Sequence, residues 1–302
     1  MKQLAFAWWN TCLSPVRGRK PATDEDKEIA LKVILQLIYE YQVDCLALGE
    51  VTPEDIIEIQ RAGNFDSFGL HEPEKHGRQQ FDTGIFYRRG SFEKINVEDI
   101  ISRRGPKSLK VATRIELYIH TTGHKLHLFV SHWPSRLWCA ENGADRHLLG
   151  IRLRDSIDLL GQDGENPIYA VILGDFNDDP FDDSLSKQLF ATRDRRLVQK
   201  RPYLFYNPFW RHLGESMPFP VKSATESHCG SYYYQSGNET KAYTFDQIMF
   251  SGAFLGNGDW HLNEKHTQIL YLVPLRSIVY NSNHRFDHFP VISVIEREAP
   301  DD

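Results

Sequence analysis

Apolar runs alternate with amphipathic segments along the first half of the chain, and this pattern predicts alternating strands and helices. Near-continuous apolar runs at residues 4–9, 45–48 and 168–173 are typical of strands covered on both faces. Between the first two, "TDEDKEIALKVILQLIYEY" places apolar residues at helical spacing behind a capping Thr23, which predicts a helix. Pro53 begins a second predicted helix.

The second half of the chain follows the same pattern. "VATRIELYIH" alternates in polarity, "GHK" forms a turn and "LHLFVSHW" returns, so this stretch is predicted to be a hairpin. Helical spacing recurs at residues 145–160, a short helix is expected at 183–191, and "TFDQIMFS", "QILYLV" and "PVISVIE" are predicted strands. We expect one α/β domain over residues 1–302, with helices outside paired sheets and a loop-rich insertion at about 200–243.

Composition narrows the class of protein. The net charge of -6, from 35 basic and 41 acidic residues, argues against a generally basic, non-specific nucleic-acid binder. No signal peptide and no apolar run long enough to span a bilayer are recognisable. The cysteines form no C-x-x-C motif, which favours a reducing compartment, so we expect a cytoplasmic protein; they are Cys12, Cys45, Cys139 and Cys229.

Carboxylate, amide or imidazole side chains stand at the ends of six predicted strands. Singly, each is explained as a turn residue, a residue near a helix dipole or a half-buried histidine. Together they indicate a site, because sites in layered α/β proteins are assembled at strand ends and their loops. The residues are Asn10, Glu50, His132, Asp175 with Asn177, Asp246, and Asp287 with His288.

Three of these side chains suit a metal ion. Asn10, Glu50 and, as a further candidate, Asp287 offer the oxygen ligands that Mg²⁺ or Mn²⁺ prefers. A cation held in this way polarises a phosphoryl oxygen and stabilises a leaving oxygen.

The other five suit hydrolysis of a phosphoester. Asp175 with Asn177 can activate and orient a water molecule. His132 and His288 can serve as acids, bases or donors to a phosphate oxygen, with Asp246 fixing the tautomer of one imidazole.

Basic residues follow two of the predicted strands. Arg136 and Arg146 can grip a phosphate in a bidentate way or can lie on a solvated helix face, and the "HWPSR" context favours Arg136 for the first role. Arg103, Arg104 and Lys107 in "SRRGPKSLK" can contact a nucleic-acid backbone, although a plain surface loop is the simpler interpretation.

Six short segments, in this order, resemble the motifs of the endonuclease/exonuclease/phosphatase superfamily, the deoxyribonuclease-I-like fold. They are "WWN", "LGE", "SHWPSR", "GDFNDDP", "TFDQIMFSG" and "DHFPV", and they span the chain from Asn10 to Val291. The sequences of the third and fifth segments are most similar to those of a bacterial, nuclease-like branch of the superfamily. Phe286 stands where the family usually has Ser, and Phe245 where it usually has Ile.

The resemblance implies a four-layer α/β sandwich, with two central, mostly antiparallel or mixed sheets flanked by helices. It also implies Mg²⁺, for which Mn²⁺ can substitute, at Asn10 and Glu50 and possible further coordination by Asp287. In the family pattern Asp175 serves the attacking water, and His288, paired with Asp246, acts at the scissile phosphate. Asn177 orients the water or the phosphate, and His132 is the donor on the phosphate side.

The main hypothesis is therefore a Mg²⁺-dependent phosphodiesterase, a nuclease that cuts DNA or RNA by in-line attack of an activated water. A phosphatase or phosphodiesterase acting on a phospholipid, an inositol phosphate or a nucleotide-like small molecule is the first alternative. A non-catalytic binding module of the same fold is disfavoured because none of the six positions is lost. No basic amphipathic helix indicates a membrane surface, and the residues identify no obligate protein partner.

Overall fold

The computed structural model describes residues 2–15, 20–77, 79–162, 167–214, 229–256 and 258–298. The strands are β1 (Lys2–Asn10), β2 (Cys45–Gly49), β3 (Phe68–His71), β4 (Lys75–His76), β5 (Gln79–Gln80), β6 (Thr83–Arg88), β7 (Phe92–Arg104), β8 (Lys107–Ile119), β9 (Lys125–His132), β10 (Tyr169–Asp175), β11 (Ala191–Thr192), β12 (Phe205–Tyr206), β13 (Tyr232–Tyr233), β14 (Ala242–Tyr243), β15 (Asp246–Ser251), β16 (His261–Ile269) and β17 (Val291–Arg297). The α-helices are α1 (Asp24–Leu35), α2 (Pro53–Gly63), α3 (Ala144–Gln162), α4 (Arg195–Lys200) and α5 (Val273–Arg276). Short π-helical turns (Gln36–Glu40 and Ser184–Gln188) and 3₁₀ turns (Pro208–His212 and Gly252–Leu255) complete the described elements.

The first sheet has the order β16-β17-β1-β2-β6-β3. β1 runs parallel to β2 and antiparallel to β17, while β2 runs antiparallel to β6. The ends of β1 and β2 therefore share one edge of the sheet with the beginnings of β6 and β17.

The second sheet has the order β11-β12-β15-β10-β9-β8-β7. β9 runs parallel to β10, and β15 runs antiparallel to β10, so the ends of β9 and β10 meet the beginning of β15. β7 and β8 form a long hairpin that is paired as far as Arg104 and Lys107. The basic segment interpreted as a loop is thus the closing end of two strands, because strand pairing continues up to the turn at 105–106.

The two sheets face each other across one core. Phe6 and Leu48 of the first sheet belong to the same buried cluster as Val130 and Ile248 of the second. Helices α1 and α2 add buried side chains to that cluster from the first sheet, and α3 packs on the second sheet through a separate cluster that includes Leu153. The order helix, sheet, sheet, helix confirms the four-layer α/β sandwich.

Local differences from the sequence prediction have simple causes. The short helix expected at 183–191 is a π-helical turn at Ser184–Gln188. The strand predicted from "QILYLV" begins earlier, at His261, and ends at Ile269, because α5 follows with a proline in its first turn. Part of the insertion at about 200–243 lies outside the described residues, at 215–228. In the part of the chain described, no helix combines the length and apolarity that crossing a membrane requires.

Candidate active site

The register of the second sheet places three predicted site residues side by side. Asp175, the last residue of β10, is paired with His132 at the end of β9 and with Asp246 at the beginning of β15. Each strand ends or begins there, so all three side chains lie at one edge of the sheet. The carboxylates of Asp175 and Asp246 and the ring of His288 bring potential ligand atoms within 4.8 Å of one another.

The first sheet contributes the facing half of the site. Asn10 at the end of β1 is paired with Gly49, which places it next to Glu50. The Asn10 amide Nδ2 donates to Glu50 Oε1 at 3.3 Å and, across the gap between the sheets, to Asp175 Oδ2 at 3.3 Å. A second bond between the sheets runs from Trp8 Nε1 to Asp246 Oδ1, at 2.6 Å. The two sheets thus complete one site.

Gly174 fixes the position of Asp175. Its φ of +149° is strained for any residue with a side chain, and a Cβ there would lie 1.8 Å from the carbonyl oxygen of Ser131 on β9. Glycine therefore allows β10 to approach β9 closely, directly before the Asp175 carboxylate. Asn177 follows at φ +50° and donates its backbone N–H to Asp175 Oδ1 at 2.8 Å.

Asp175 lies between two imidazoles. Its Oδ2 is 3.8 Å from Nε2 of His288 and 3.9 Å from Nε2 of His132. Burial raises the pKa of the Asp175 carboxyl, and the nearby Asp246 carboxylate raises it further, against the opposing effect of both imidazoles. A carboxylate of raised pKa is a stronger proton acceptor, which suits a general base.

His288 forms a dyad with Asp246. Its Nδ1 lies 2.8 Å from Asp246 Oδ2, so the imidazole proton donor on the other side, Nε2, points toward Asp175. Burial alone would lower the pKa of the imidazole, but the carboxylates of Asp246, Asp175 and Asp287 together outweigh burial and raise the pKa of His288 to about 10. His288 is therefore a cationic donor at neutral pH.

His132 forms a parallel dyad with a residue that the sequence did not reveal. Its Nδ1 lies 3.1 Å from Oδ2 of Asp82, whose other oxygen accepts from Lys110 Nζ at 2.5 Å. Burial lowers the pKa of an imidazole, but the carboxylates of Asp82, Asp175 and Glu50 together outweigh burial and raise the pKa of His132 to about 9. Burial would raise the pKa of Asp82, yet His132 and Lys110 hold it well below its usual range. The available signal was the aspartate in "FDTGIF", which precedes a strand instead of following one.

The predicted metal ligands fit a hard divalent cation. Oε2 of Glu50 is buried and makes no hydrogen bond to any of the described residues, which leaves a carboxylate oxygen for a cation to satisfy. Asn10 directs its amide nitrogen toward Glu50, and a half-turn of the amide would present Oδ1 as a ligand instead. Asp287 Oδ1 accepts from the Cys12 thiol at 2.9 Å and lies 3.8 Å from Nε2 of His288. An all-oxygen set of this kind suits Mg²⁺.

Arg146 is not placed to bind a substrate. Its side chain is fully buried, and its guanidinium donates to the carbonyl oxygens of Pro134, Cys139 and Phe176. Nε lies 3.6 Å from Oδ1 of Asp178. The expectation of a phosphate-binding Arg146 is therefore wrong, because the whole guanidinium is enclosed by the loops on either side of the site.

Arg136 is also engaged within the protein. It donates to the backbone oxygen of Asn177 at 3.0 Å and to the carboxylates of Glu141 and Asp182 at 2.9 and 2.7 Å. Its guanidinium lies 4.7 Å from the centre of the Phe245 ring. These contacts brace the loop that carries Asn177.

The two acids that follow Asn177, Asp178 and Asp179, are buried. Burial raises the pKa of Asp178 to about 7 and that of Asp179 to about 6. Asp178 accepts from the Ser184 hydroxyl, and Asp179 accepts from the backbone N–H of Thr244 at 2.8 Å. With the two arginines above, they form a structural cluster beneath the site.

Comparisons with known proteins agree with this geometry. A model of the Endonuclease/Exonuclease/phosphatase family matches residues 27–297, and the chain belongs to that family of phosphoester hydrolases, which generally use a divalent metal. No curated protein matches the chain.

Solved structures share the fold at low sequence identity. The human Nocturnin catalytic domain with a bound sulfate is 16% identical, with a TM-score of 0.60 over 98% of this chain and 95% of that one. A mannosyl-6-phosphatase from Bacteroides thetaiotaomicron is 15% identical, with a TM-score of 0.59 over 97% and 99%. D. rerio TDP2 complexed with a single-strand DNA product is 17% identical, with a TM-score of 0.56 over 98% and 100%. These likenesses concern the fold.

Proposed function

We propose that the protein is a Mg²⁺-dependent phosphodiesterase that hydrolyses DNA or RNA. The observation that carries the proposal is the position of Asp175, with its Oδ2 within 3.9 Å of the Nε2 atoms of two imidazoles that each have a carboxylate partner of their own. Two cationic donors on either side of one basic carboxylate suit a reaction in which an anionic phosphate is attacked by water.

Each side chain has a defined task in this mechanism. Asp175 accepts the proton of the attacking water, and Asn177, whose amide Nδ2 donates to the backbone oxygen of Trp133 at 2.9 Å, is held where it can orient that water or the phosphate. His288 and His132 donate from Nε2 to phosphate oxygens on which charge develops. Asp246, His288 and Asp82 are buried and the His132 side chain is only 14% exposed, so these charges act in a medium of low polarity.

Asn10 and Glu50 would hold the cation, with Asp287 as a further ligand. The cation supplies Lewis-acid polarisation of the phosphoryl group and stabilisation of the leaving oxygen. A protonated imidazole does not ligate a metal. The oxygen ligands contributed by the first sheet are therefore a better set than one that includes His288.

The β7–β8 hairpin supports a polymeric substrate. Thr113 of β8 is paired with Val130 of β9, so Val111 lies level with His132. From Val111, β8 extends four more residues toward its beginning at Lys107. At ~3.3 Å per residue the hairpin projects about 13 Å past the site. Arg103 and Arg104 at its end are exposed and can contact a phosphate backbone.

The net charge of -6 favours the second candidate, a small phosphoester such as a phosphorylated sugar, lipid headgroup or nucleotide. One assay separates the two: plasmid DNA, single-stranded DNA, RNA, inositol phosphates, sphingomyelin and a generic diester are incubated with the protein, with and without Mg²⁺. Hydrolysis of polymers with Mg²⁺ supports a nuclease, and hydrolysis of small esters alone supports the second candidate.

The variants Asp175→Ala and His288→Ala test the site itself. Each should abolish hydrolysis of whichever substrate is accepted while the protein stays folded, whereas Asp155→Asn, on the exposed face of α3, should leave the rate unchanged. Full activity in both site variants would refute the mechanism. Loss of Mg²⁺ binding in Glu50→Gln would place the cation on the first sheet.

A further inference from the structure

A second group of potential metal ligands consists of Glu74, directly before β4, His76 at the end of β4, and Asp99 on β7. Nε2 of His76 is 2.8 Å from Oδ2 of Asp99 and 3.7 Å from Oε2 of Glu74. All three ligand atoms lie within 4.8 Å of one another, and none of the three residues belongs to the catalytic cluster.

The group is held in place by its neighbours. Oδ1 of Asp99 accepts from the Thr113 hydroxyl at 2.5 Å, and the side chain is only 3% exposed, so Oδ2 keeps one orientation toward His76. The His76 ring packs edge-on against Phe81, with 5.9 Å between the ring centres. This packing restricts the orientation of the His76 ring.

The charges of the group are not balanced within the part of the chain that the structure describes. Neither Glu74 nor Asp99 makes an ion pair there with a lysine or arginine; the imidazole of His76 is the only basic side chain paired with either carboxylate in the described residues. One N–H directed at Asp99 leaves Glu74 at 3.7 Å, beyond hydrogen-bonding distance. A divalent cation in place of that proton would satisfy all three ligands.

We propose that Glu74, His76 and Asp99 form a second metal site that binds Zn²⁺, with water as the fourth ligand. One imidazole and two carboxylates suit this borderline cation, unlike the all-oxygen catalytic set. Zinc bond lengths of about 2.0–2.1 Å give ligand separations of about 3.4 Å in a tetrahedron. The separations of 2.8 and 3.7 Å reach that value through small rotations of exposed side chains.

Such a site would stabilise one wall of the catalytic centre. It would join the hairpin formed by β4 and β5 to β7, and β5 leads directly into Phe81 and Asp82. Asp82 is the carboxylate that holds His132. The second cation would therefore fix the segment that positions a catalytic imidazole, without contact with the substrate.

Zinc titration of Glu50→Gln protein tests the proposal, because that background removes a ligand of the catalytic cation. We expect one equivalent of Zn²⁺ by calorimetry, and Co²⁺ should show the strong visible absorption of tetrahedral coordination. Adding His76→Ala or, as the more conservative change, Asp99→Asn should weaken Zn²⁺ binding by at least tenfold, roughly the effect of losing a supporting contact.

His124→Ala is the matched control. His124 Nε2 also lies 2.8 Å from an aspartate oxygen, that of Asp259, but in no metal-ligating group found among the described residues. Zinc binding should be unchanged in this variant. No Zn²⁺ binding to the Glu50→Gln protein, or equal binding after His76→Ala, would overturn the proposal.

Discussion

Replacing Gly174 with alanine should destabilise the protein and separate its catalytic groups. The new Cβ would lie 1.8 Å from the Ser131 carbonyl oxygen, whereas a comfortable carbon–oxygen contact is about 3.3 Å. β9 and β10 would thus have to move apart by roughly 1.5 Å at the point where Gly174 is paired with Ser131.

The expected cost follows from two effects. A residue with a side chain at this positive φ is strained by about 1–3 kcal/mol. Separating the strands weakens two or three ladder hydrogen bonds, each worth about 1 kcal/mol. The sum is about 3–6 kcal/mol, a large fraction of the stability of an ordinary domain. Displacing Asp175 by about 1 Å from His132 should also lower the hydrolysis rate about 100-fold.

Urea denaturation followed by tryptophan fluorescence measures the first effect, because Trp8, Trp9 and Trp133 are fully buried. Gly90→Ala is the control, since a Cβ at Gly90 meets nothing within 4 Å, and it should change the free energy of unfolding by less than about 0.5 kcal/mol. If Gly174→Ala unfolds within 1 kcal/mol of the wild type, then β9 and β10 do not require glycine and the reasoning is wrong.

Two further substitutions separate catalytic from structural roles. Asp246→Asn removes a carboxylate that raises the pKa of His288, which is about 10 in the wild type. Since burial lowers that pKa, the alkaline limb of the rate–pH profile should move to lower pH. The rate at pH 8 should fall by about 10²–10⁴-fold. An unchanged profile would show that the protonation of His288 does not limit the reaction. Arg146→Met leaves Asp178 and three carbonyl oxygens without their guanidinium, so the free energy of unfolding should fall by about 3–5 kcal/mol. A raised KM with unchanged unfolding would instead restore Arg146 to substrate binding.

The sequence predicted the architecture well because its apolar runs and its order of motifs are local signals. Strand segments that are buried on both faces must be apolar, and residues 4–9 of β1, the whole of β2 and residues 169–174 of β10 satisfy this. Polar residues that follow such strands stand out, and the predicted site residues Asn10 and Asp175 do lie together, 3.3 Å apart.

Asp82 escaped prediction because strand direction is not a local signal. Asp82 directly precedes β6. β6 pairs antiparallel with β2, with Thr83 opposite Gly49, and this pairing brings the beginning of β6 to the edge of the sheet where β2 ends. Polar residues that follow an apolar run stand out in the sequence, but an acid that precedes a strand, and that an antiparallel neighbour delivers to the same edge, does not. Asp246 and His288 occupy the same kind of position but are carried by recognisable motifs.

Arg146 was misassigned for a different reason. Helical spacing and positive charge indicate an exposed helix face, but a guanidinium can be buried when carbonyl oxygens accept its protons. The three acceptors, at Pro134, Cys139 and Phe176, come from segments that converge only in the folded chain. Neighbouring residues in the sequence do not reveal them.

The pairing of β1 with β17 has a consequence for the newly made chain. β1 lies between β2, which follows it closely in the chain, and β17, the last of the described strands. Asn10 and Glu50 are present from the beginning, but Asp287 and His288 arrive only with the segment that leads into β17. The proposed site therefore lacks Asp287 and His288 until the segment that leads into β17 has been synthesised, so assembly of the site and completion of the first sheet depend on the same stretch of chain.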